Sequence, residues 1–511
     1  MAALAKTTKV AVVGTGAMGA GIAQIAAAAG HEVLLFDSRE GAADKAIAGI
    51  AGQFSRLAEK GKLSSAEASA ASGRLHAATK LQGLSDAGVI VEAIVENLEA
   101  KQGLFRSLEA IVGPTALFAT NTSAISVTAI GAALAQPERL AGLHFFNPAP
   151  LMALVEVVSG LATSSSVAET LYDTAKAWGK SPVYTKSTPG FIVNRVARPF
   201  YAEAQRVLQE NGADVATIDA CCKEGGGFRM GPFELMDLIG HDVNLAVTKT
   251  VWAAYYHDPR FLPSLIQQEL VAAGFLGRKS GRGFYDHRPD AAAPSPDTAA
   301  DARDALALAG PITLYGQTAA AQALRERLSA AGQTCLLAEA DDDRIAQVGE
   351  TVVYVTDGRT ASHRAFSSGQ ANTVVIDLAL DYRTAKRLAV AAAEGASATA
   401  GAQAIGLLQT AGFAVSVFHD VPGLIVMRTV AMLANEAADA VNQGVCTVAA
   451  ADTAMRLGVN YPLGPLAWAD AIGLPRVRDV LAHLGQAYGE DRYRISPLIH
   501  QRVFGTKAFY D

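Results

Sequence analysis

Two hydrophobic patterns alternate along the chain and divide it. In the first 185 residues, short β-branched runs stand between alanine-rich amphipathic stretches: "KVAVVG" (9–14), "EVLLFD" (32–37), "VIVEAI" (89–94), "LFATN" (117–121), "LAGLHFF" (140–146) and "LVEVV" (154–158). Runs of this length predict buried strands, and their alternation with helical stretches predicts a doubly wound α/β sheet. From Gly190 to about Gly274 apolar residues recur at three- and four-residue spacing, which predicts an all-helical domain. "DHRPDAAAPSPDTAADARD" (286–304) mixes proline, alanine and acid without periodicity, as a linker does. Beyond it "PITLYG", "ETVVYVTDG", "TVVIDLALD" and "FAVSVF" predict a smaller α/β unit, and the helical pattern returns from Val421.

One phrase occurs twice. "PGFIVNR" begins at Pro189 and "PGLIVMR" at Pro422, 233 positions on, with Asn194 replaced by Met427. The same offset pairs Glu203 with Glu436, Val215 with Val448, Asp219 with Asp452, Gly231-Pro232 with Gly464-Pro465, Asp237 with Asp470 and Gly240 with Gly473. A register held without a gap over about fifty residues marks a duplicated helical module.

Composition narrows the function. Of 511 residues, 50% are hydrophobic and 18% charged, with net charge −6, which suits a soluble chain of several domains. No basic stretch points to nucleic acid. The opening "MAALAKTTKVAVVG" enters a strand pattern too soon for a signal peptide. Residues 110–137 are uncharged but broken by "NTS", two glycines and two prolines, so no membrane span is expected. Four cysteines, two of them adjacent (Cys221-Cys222), lack metal-ligand spacing; cytoplasmic thiols and no metal site are expected.

"VAVVGTGAMGAGIAQIAAAAG" sets Gly14, Gly16 and Gly19 in GxGxxG spacing between a strand and a helix. Such glycines allow a tight turn, close approach of backbone to a pyrophosphate and close helix packing. The next strand ends at Asp37, an acid suited to ribose hydroxyls and repulsive to a 2′-phosphate, so NAD is expected rather than NADP. The later unit opens "ITLYGQTAAAQAL", with one glycine, and is expected to bind no dinucleotide or to bind it poorly.

Near the cofactor motif stand Ser123 in "ATNTSAIS", His144 and Asn147 in "GLHFFNP", Glu156 in "LVEVV" and Asn194 in "PGFIVNR". Each alone has a structural explanation. A strand, a turn and a returning strand could join His144 to Glu156 as an imidazole–carboxylate pair.

Together "GTGAMG", "EAIVEN", "ATNTS", "GLHFFNP", "LVEVV", "PGFIVNR" and "GRKSGRGFYDH" resemble the signature of the 3-hydroxyacyl-CoA dehydrogenase family, in order over residues 9–287. The duplicated module resembles that family's bacterial long form, linked to 3-hydroxybutyryl-CoA or, in phenylacetate degradation, 3-hydroxyadipyl-CoA. The resemblance implies oxidation of an (S)-3-hydroxyacyl-CoA by NAD, as in β-oxidation. His144 would be the general base, Glu156 would orient it, and Ser123 and Asn194 would hold the reacting oxygens. It further implies NAD contacts at Asp37, Glu96, Lys101, Asn147 and Lys279 and a coenzyme A contact at Lys60. Gln53 departs from the family's small or polar residue upstream of Lys60.

The expected fold is an α/β Rossmann-type NAD-binding domain (1–186), an all-α domain (187–285), a linker (286–304), a degenerate Rossmann-like unit (305–420) and a second, catalytically silent all-α copy (421–511). The two helical copies are expected to pair as an intramolecular pseudo-dimer, with pairing of whole chains left open. The alternatives are an NAD-dependent dehydrogenase of a CoA-free hydroxy acid, or a dinucleotide-binding protein without turnover. Arg198 and Arg229 are candidates to meet a second carboxylate on the acyl group.

Overall fold

The computed structural model describes residues 3–292 and 294–510. They form two compact units, Met1–Arg195 with Gln443–Val459, and Val196–Asn442 with Asn460–Asp511.

The sheet of the first unit contains β1 (Val10–Val13), β2 (Val33–Phe36), β3 (Leu75–Ala77), β4 (Val89–Glu92), β5 (Leu117–Thr120), β6 (Leu140–Phe145), β7 (Leu154–Ser159) and β8 (Ser181–Lys186). Their order is β3-β2-β1-β4-β5-β6-β7-β8, parallel throughout except between β6 and β7. Helices cover both faces, so the central strands are apolar on both sides: Val10 and Val12 meet Ile22 and Ala26, while Ala11 and Val13 belong with Phe105 and Leu108. Six strands were predicted. β3, with His76 exposed, and β8, with Pro182 and alternating exposure, lack the continuous apolar run that marks the others.

A piece of the second helical module belongs to this unit. The Lys186 N–H donates to the Val445 carbonyl at 2.9 Å, and the helix Val448–Gly458 lies against β7 and β8. A Cβ at Gly458 would come within 2.7 Å of Leu154, so glycine permits the approach.

The second unit has a seven-stranded sheet: β9 (Ile312–Tyr315), β10 (Cys335–Ala338), β11 (Arg344–Val348), β12 (Thr351–Val355), β13 (Thr373–Ile376), β14 (Arg387–Ala392) and β15 (Ala414–Val417). Their order is β10-β9-β11-β12-β13-β14-β15, with β11 antiparallel to both neighbours. β10, β11 and β14 escaped prediction because their exposed, charged or alanine-rich positions are ordered by pairing rather than by an apolar run. The linker is pinned to this sheet. Ala299 N–H donates to the Val415 carbonyl at 2.8 Å, and Gln409 clasps the carbonyls of Ala299 and Ala300 and the N–H of Ala302.

The duplication is visible in the backbone. Positive φ recurs at the 233-residue offset in Gly190 and Gly423, Phe191 and Leu424, Asn211 and Gly444, Gly227 and Asn460, and Gly240 and Gly473. At Phe191 (49°) and Leu424 (51°) the left-handed conformation costs about 1–2 kcal/mol, and both copies accept it.

Within the second unit the helix Arg198–Gln209 packs on Val426–Asn442. Arg428 Nε meets Glu203 at 2.6 Å, Arg260 Nη1 meets Glu436 at 3.1 Å, and Arg492 lies 3.7 Å from Glu203. Each helical module also closes on an "FYD" segment. Asp237 accepts the N–H groups of Phe284 and Tyr285, and Asp470 those of Phe509 and Tyr510. Among the described residues no helix is long and apolar enough to cross a membrane, and no cluster of three His, Cys, Asp or Glu could hold a metal.

Candidate active site

The loop after β1 is built for an anion. Gly14 has φ +94°, and a Cβ there would lie 2.5 Å from the Ala93 carbonyl oxygen; one at Gly19 would lie 1.8 Å from that of Gly14. At Gly16 a Cβ would meet nothing within 4 Å, and no side chain caps the helix Ala17–Ala28 that starts there. Two glycines therefore close the turn and seat the helix, while the third leaves the helix N-terminus open to a phosphate group. The equivalent helix of the second unit, Ala319–Ala330, is capped by the Thr318 hydroxyl, which accepts from Ala321 N–H.

Asp37, just past β2, accepts from the Thr15 N–H and hydroxyl at 2.9 Å each, and from the Arg39 side chain at 3.1 and 3.2 Å. The Arg39 hydrogen bonds hold its carboxyl well below the usual range, against the opposing effect of burial. The acid is thus fixed as an anion beside the glycine loop. A cavity of about 1640 Å³ opens from this loop. Six of its lining side chains are cationic, among them Arg39, Lys45 and Lys60, against the single acid Glu40 among the described residues. Asn147 and Gln53 also line it.

His144 and Glu156 face each other directly across the antiparallel β6–β7 pair. Nδ1 of His144 lies 2.7 Å from Oε2 of Glu156; the carboxylate is fully buried and the imidazole nearly so. Oε1 of the same carboxylate accepts the N–H groups of Ile192 and Val193 at 3.0 Å each. Those groups open the short helix Val193–Val196, and Asn194 follows on it, with Nδ2 at 3.4 Å from the Ser123 carbonyl oxygen. The four residues expected to be catalytic therefore lie in one linked arrangement within the first unit.

Glu96 holds the Ser123 loop. Its Oε1 accepts from Thr122 Oγ1 (2.6 Å), Ser123 N–H (2.9 Å) and Ala124 N–H (3.1 Å), and Lys101 stands 3.3 Å away. Burial opposes ionisation of Glu96, but the Lys101 ammonium and these hydrogen bonds leave its carboxyl below the usual range. Lys101 itself is 1% exposed and bonded to Glu92 at 2.6 Å, so it reaches a ligand only through the carboxylates it holds. Lys279 lies in the second unit, where it pairs with Asp242. Arg229 is exposed, and Arg198 is buried.

Several supporting residues escaped sequence reading. Glu92 ties Lys101, Thr120 and Ile94 together; an acid inside the apolar run "VIVE" was its only signal. Asn121 accepts the Phe145 N–H at 2.8 Å beside His144. Lys180 donates to the carbonyls of Ala149 and Met152, fixing the loop after Asn147.

The chain matches the 3-hydroxyacyl-CoA dehydrogenase NAD binding domain over residues 9–188 and the C-terminal domain of that enzyme twice, over 190–287 and 423–508. It belongs to the 3-hydroxyacyl-CoA dehydrogenase family. Residues 353–422 match the reduced Rossmann-fold domain of 3-hydroxybutyryl-CoA dehydrogenase, in agreement with the expected degenerate unit. The chain is 44% identical over 97% of both chains to 3-hydroxyadipyl-CoA dehydrogenase of Escherichia coli. Its fold is similar to a crystal structure of 3-hydroxybutyryl-CoA dehydrogenase from Escherichia coli, with TM-score 0.87 and 43% identity over 98% of this chain and 99% of that one. A shorter relative, (S)-3-hydroxybutyryl-CoA dehydrogenase from Ralstonia eutropha, covers 55% of this chain and is itself covered to 99%, with TM-score 0.54 and 39% identity.

For this dehydrogenase the second unit offers a direct comparison with the catalytic pair. Ile376 pairs with Val390 across β13–β14, and the next residue, Asp377, bonds to Ala389. At the 233-residue offset these are the places of His144 and Glu156. Asp377 accepts from the N–H groups of Ile425, Val426 and Met427 at 2.8–3.0 Å, doing for this copy what Glu156 does for Ile192 and Val193.

Proposed function

We propose that the chain oxidises (S)-3-hydroxyacyl-CoA to 3-oxoacyl-CoA at one site, in the first unit, with an acyl group of the 3-hydroxybutyryl or 3-hydroxyadipyl kind, in fatty-acid or phenylacetate-type degradation. The observation behind this reading is the 2.7 Å bond between His144 and Glu156. A buried carboxylate can only accept, so Nδ1 carries the proton and Nε2 keeps its lone pair. Nε2 then takes the proton of the C3 hydroxyl as general base, and Glu156 stabilises the imidazolium. Ser123 and Asn194, held beside each other, polarise the reacting oxygens. Bound NAD supplies the hydride acceptor at its nicotinamide ring. Gly16, Asp37 and Asn147 would hold the dinucleotide, and the cationic wall including Lys60 suits the phosphates of coenzyme A better than a CoA-free hydroxy acid.

The second copy is read as silent: Asp377, Ala389 and Met427 stand where His144, Glu156 and Asn194 act. Its value would be structural, as the covalent half of a pseudo-dimer. Reciprocal bonds support this: Lys186 N–H to the Val445 carbonyl and, at the same offset, His419 N–H to the Gly212 carbonyl, both at 2.9 Å. A truncation at residue 290 that stays soluble and fully active would overturn the pairing. The four free cysteines suit the cytoplasm, and recovery of the native chain from an oxidising compartment would refute that placement.

The deciding experiment follows NADH oxidation with acetoacetyl-CoA. Turnover in the wild type that collapses by about 10²-fold or more in His144→Ala is the expected result. A folded wild type that binds NADH yet turns over no acyl-CoA would overturn the reading.

A further inference from the structure

The second unit contains a cavity of about 420 Å³ lined by one face of the helix Arg198–Gln209, by Thr248, by the stretch from Arg260 to Leu265 and by Tyr488, Glu490 and Arg492. Four arginines line it, and three of them have carboxylates. Arg206 forms two bonds to Glu490 at 3.0 Å, Arg260 holds Glu436 and Asp439, and Arg492 lies 3.7 Å from both Glu203 and Glu490.

Arg198 is different. It is 6% exposed, Nη1 donates to Thr248 Oγ1 at 3.0 Å, its guanidinium stacks 4.9 Å from the centre of the Tyr201 ring, and Nε has no partner. No carboxylate among the described residues pairs with it. The buried Ser264 hydroxyl on the same wall is likewise without a partner. An uncompensated buried cation is costly, and an anion meeting it would offset part of that cost.

The duplicated module is an internal control. At the 233-residue offset Arg198, Gln205 and Thr248 become Ala431, Ala438 and Leu481, each fully buried. The same helix pair thus packs with an apolar set, so the polar set is not required by the fold. It occurs only in the copy that follows the intact catalytic residues. The cavity mouth carries exposed Leu262 and Leu265, which suit methylene groups.

We infer that this cavity is a carboxylate site, in which Arg198, positioned by a Thr248 hydroxyl that itself donates to the Asn244 carbonyl, binds with Ser264 the anionic end of a short methylene chain. The anion is that of a free short-chain carboxylate, and the inference does not rest on the dehydrogenase reading above.

Calorimetric titration of the full-length chain with adipate tests the site and needs no turnover, comparing wild type with Arg198→Met and Thr248→Val. The wild type should bind adipate, and Arg198→Met should lose about tenfold or more in affinity. If Arg198→Met does not fold, Thr248→Val must show the same loss in weaker form. Adipate binding that is absent from the wild type, or unchanged in the folded variants, overturns the proposal.

Discussion

The Glu156 carboxylate faces His144 at 2.7 Å while its other oxygen holds the N–H groups of Ile192 and Val193. One buried side chain therefore sets the imidazole tautomer and also the start of the helix that presents Asn194.

Glu156→Gln should separate these two duties. An amide is both donor and acceptor, so whichever way it turns, either His144 Nδ1 or the two backbone N–H groups face a donor. If the amide N–H faces His144, the imidazole proton moves to Nε2 and the base is lost. The expected outcome is a fall in kcat of about 10²–10⁴-fold with the fold retained. Steady-state kinetics beside thermal unfolding checks this, and near-normal kcat would argue against Nε2 as the base.

Asp37 is predicted to guard cofactor choice through Arg39. The guanidinium is largely exposed and restrained by the Asp37 carboxylate. In Asp37→Ser the repulsion of a 2′-phosphate disappears and Arg39 is released towards it. The ratio of kcat/KM for NADPH to that for NADH should rise by about tenfold or more, one strong charge-assisted contact.

Glu96 gives an acid-side signature. Its folded pKa lies below the ordinary glutamate value, so its stabilisation is present above that value and is lost as pH falls through the lowered one. Thermal unfolding of Glu96→Gln should show a lower Tm than wild type at neutral pH, with the gap closing as pH falls below the ordinary glutamate range. A constant gap across that range would mean that the carboxylate charge is irrelevant to the Ser123 loop.

Restoring the changed word of the repeat should restore nothing. Met427→Asn places an amide at a fully buried position, costing about 1–3 kcal/mol, and leaves Asp377 and Ala389 where His144 and Glu156 would be needed. Turnover per chain should not rise, and calorimetry should still find one NADH per chain. Two equivalents would refute the silent reading.

Local pattern made much of this protein legible. Strands such as β1, β12 and β13 are runs buried along their whole length because their two faces are covered, and the glycine spacing before the helix Ala17–Ala28 is dictated by contacts of a few residues' range. The repeat at 233 residues announced itself through turn residues such as Gly190 and Gly423, whose backbone demands survive the change from Asn194 to Met427. Edge strands such as β3 and β10 did not announce themselves, because exposed positions take any residue that pairing tolerates.

By itself the sequence determined the α/β and helical alternation, the duplication and the dinucleotide loop, and it singled out Ser123, His144, Glu156 and Asn194 as candidates, which the fold brings together. These depend on periodicity and on short motifs, which chain order preserves. Only the tertiary structure decided that residues 443–459 complete the first unit, that Asp377 replaces His144 while inheriting the helix-holding duty of Glu156, and that Arg198 is a buried cation without an anion. Such facts depend on which distant groups share a low-dielectric interior, and burial sets the cost of an unpaired charge.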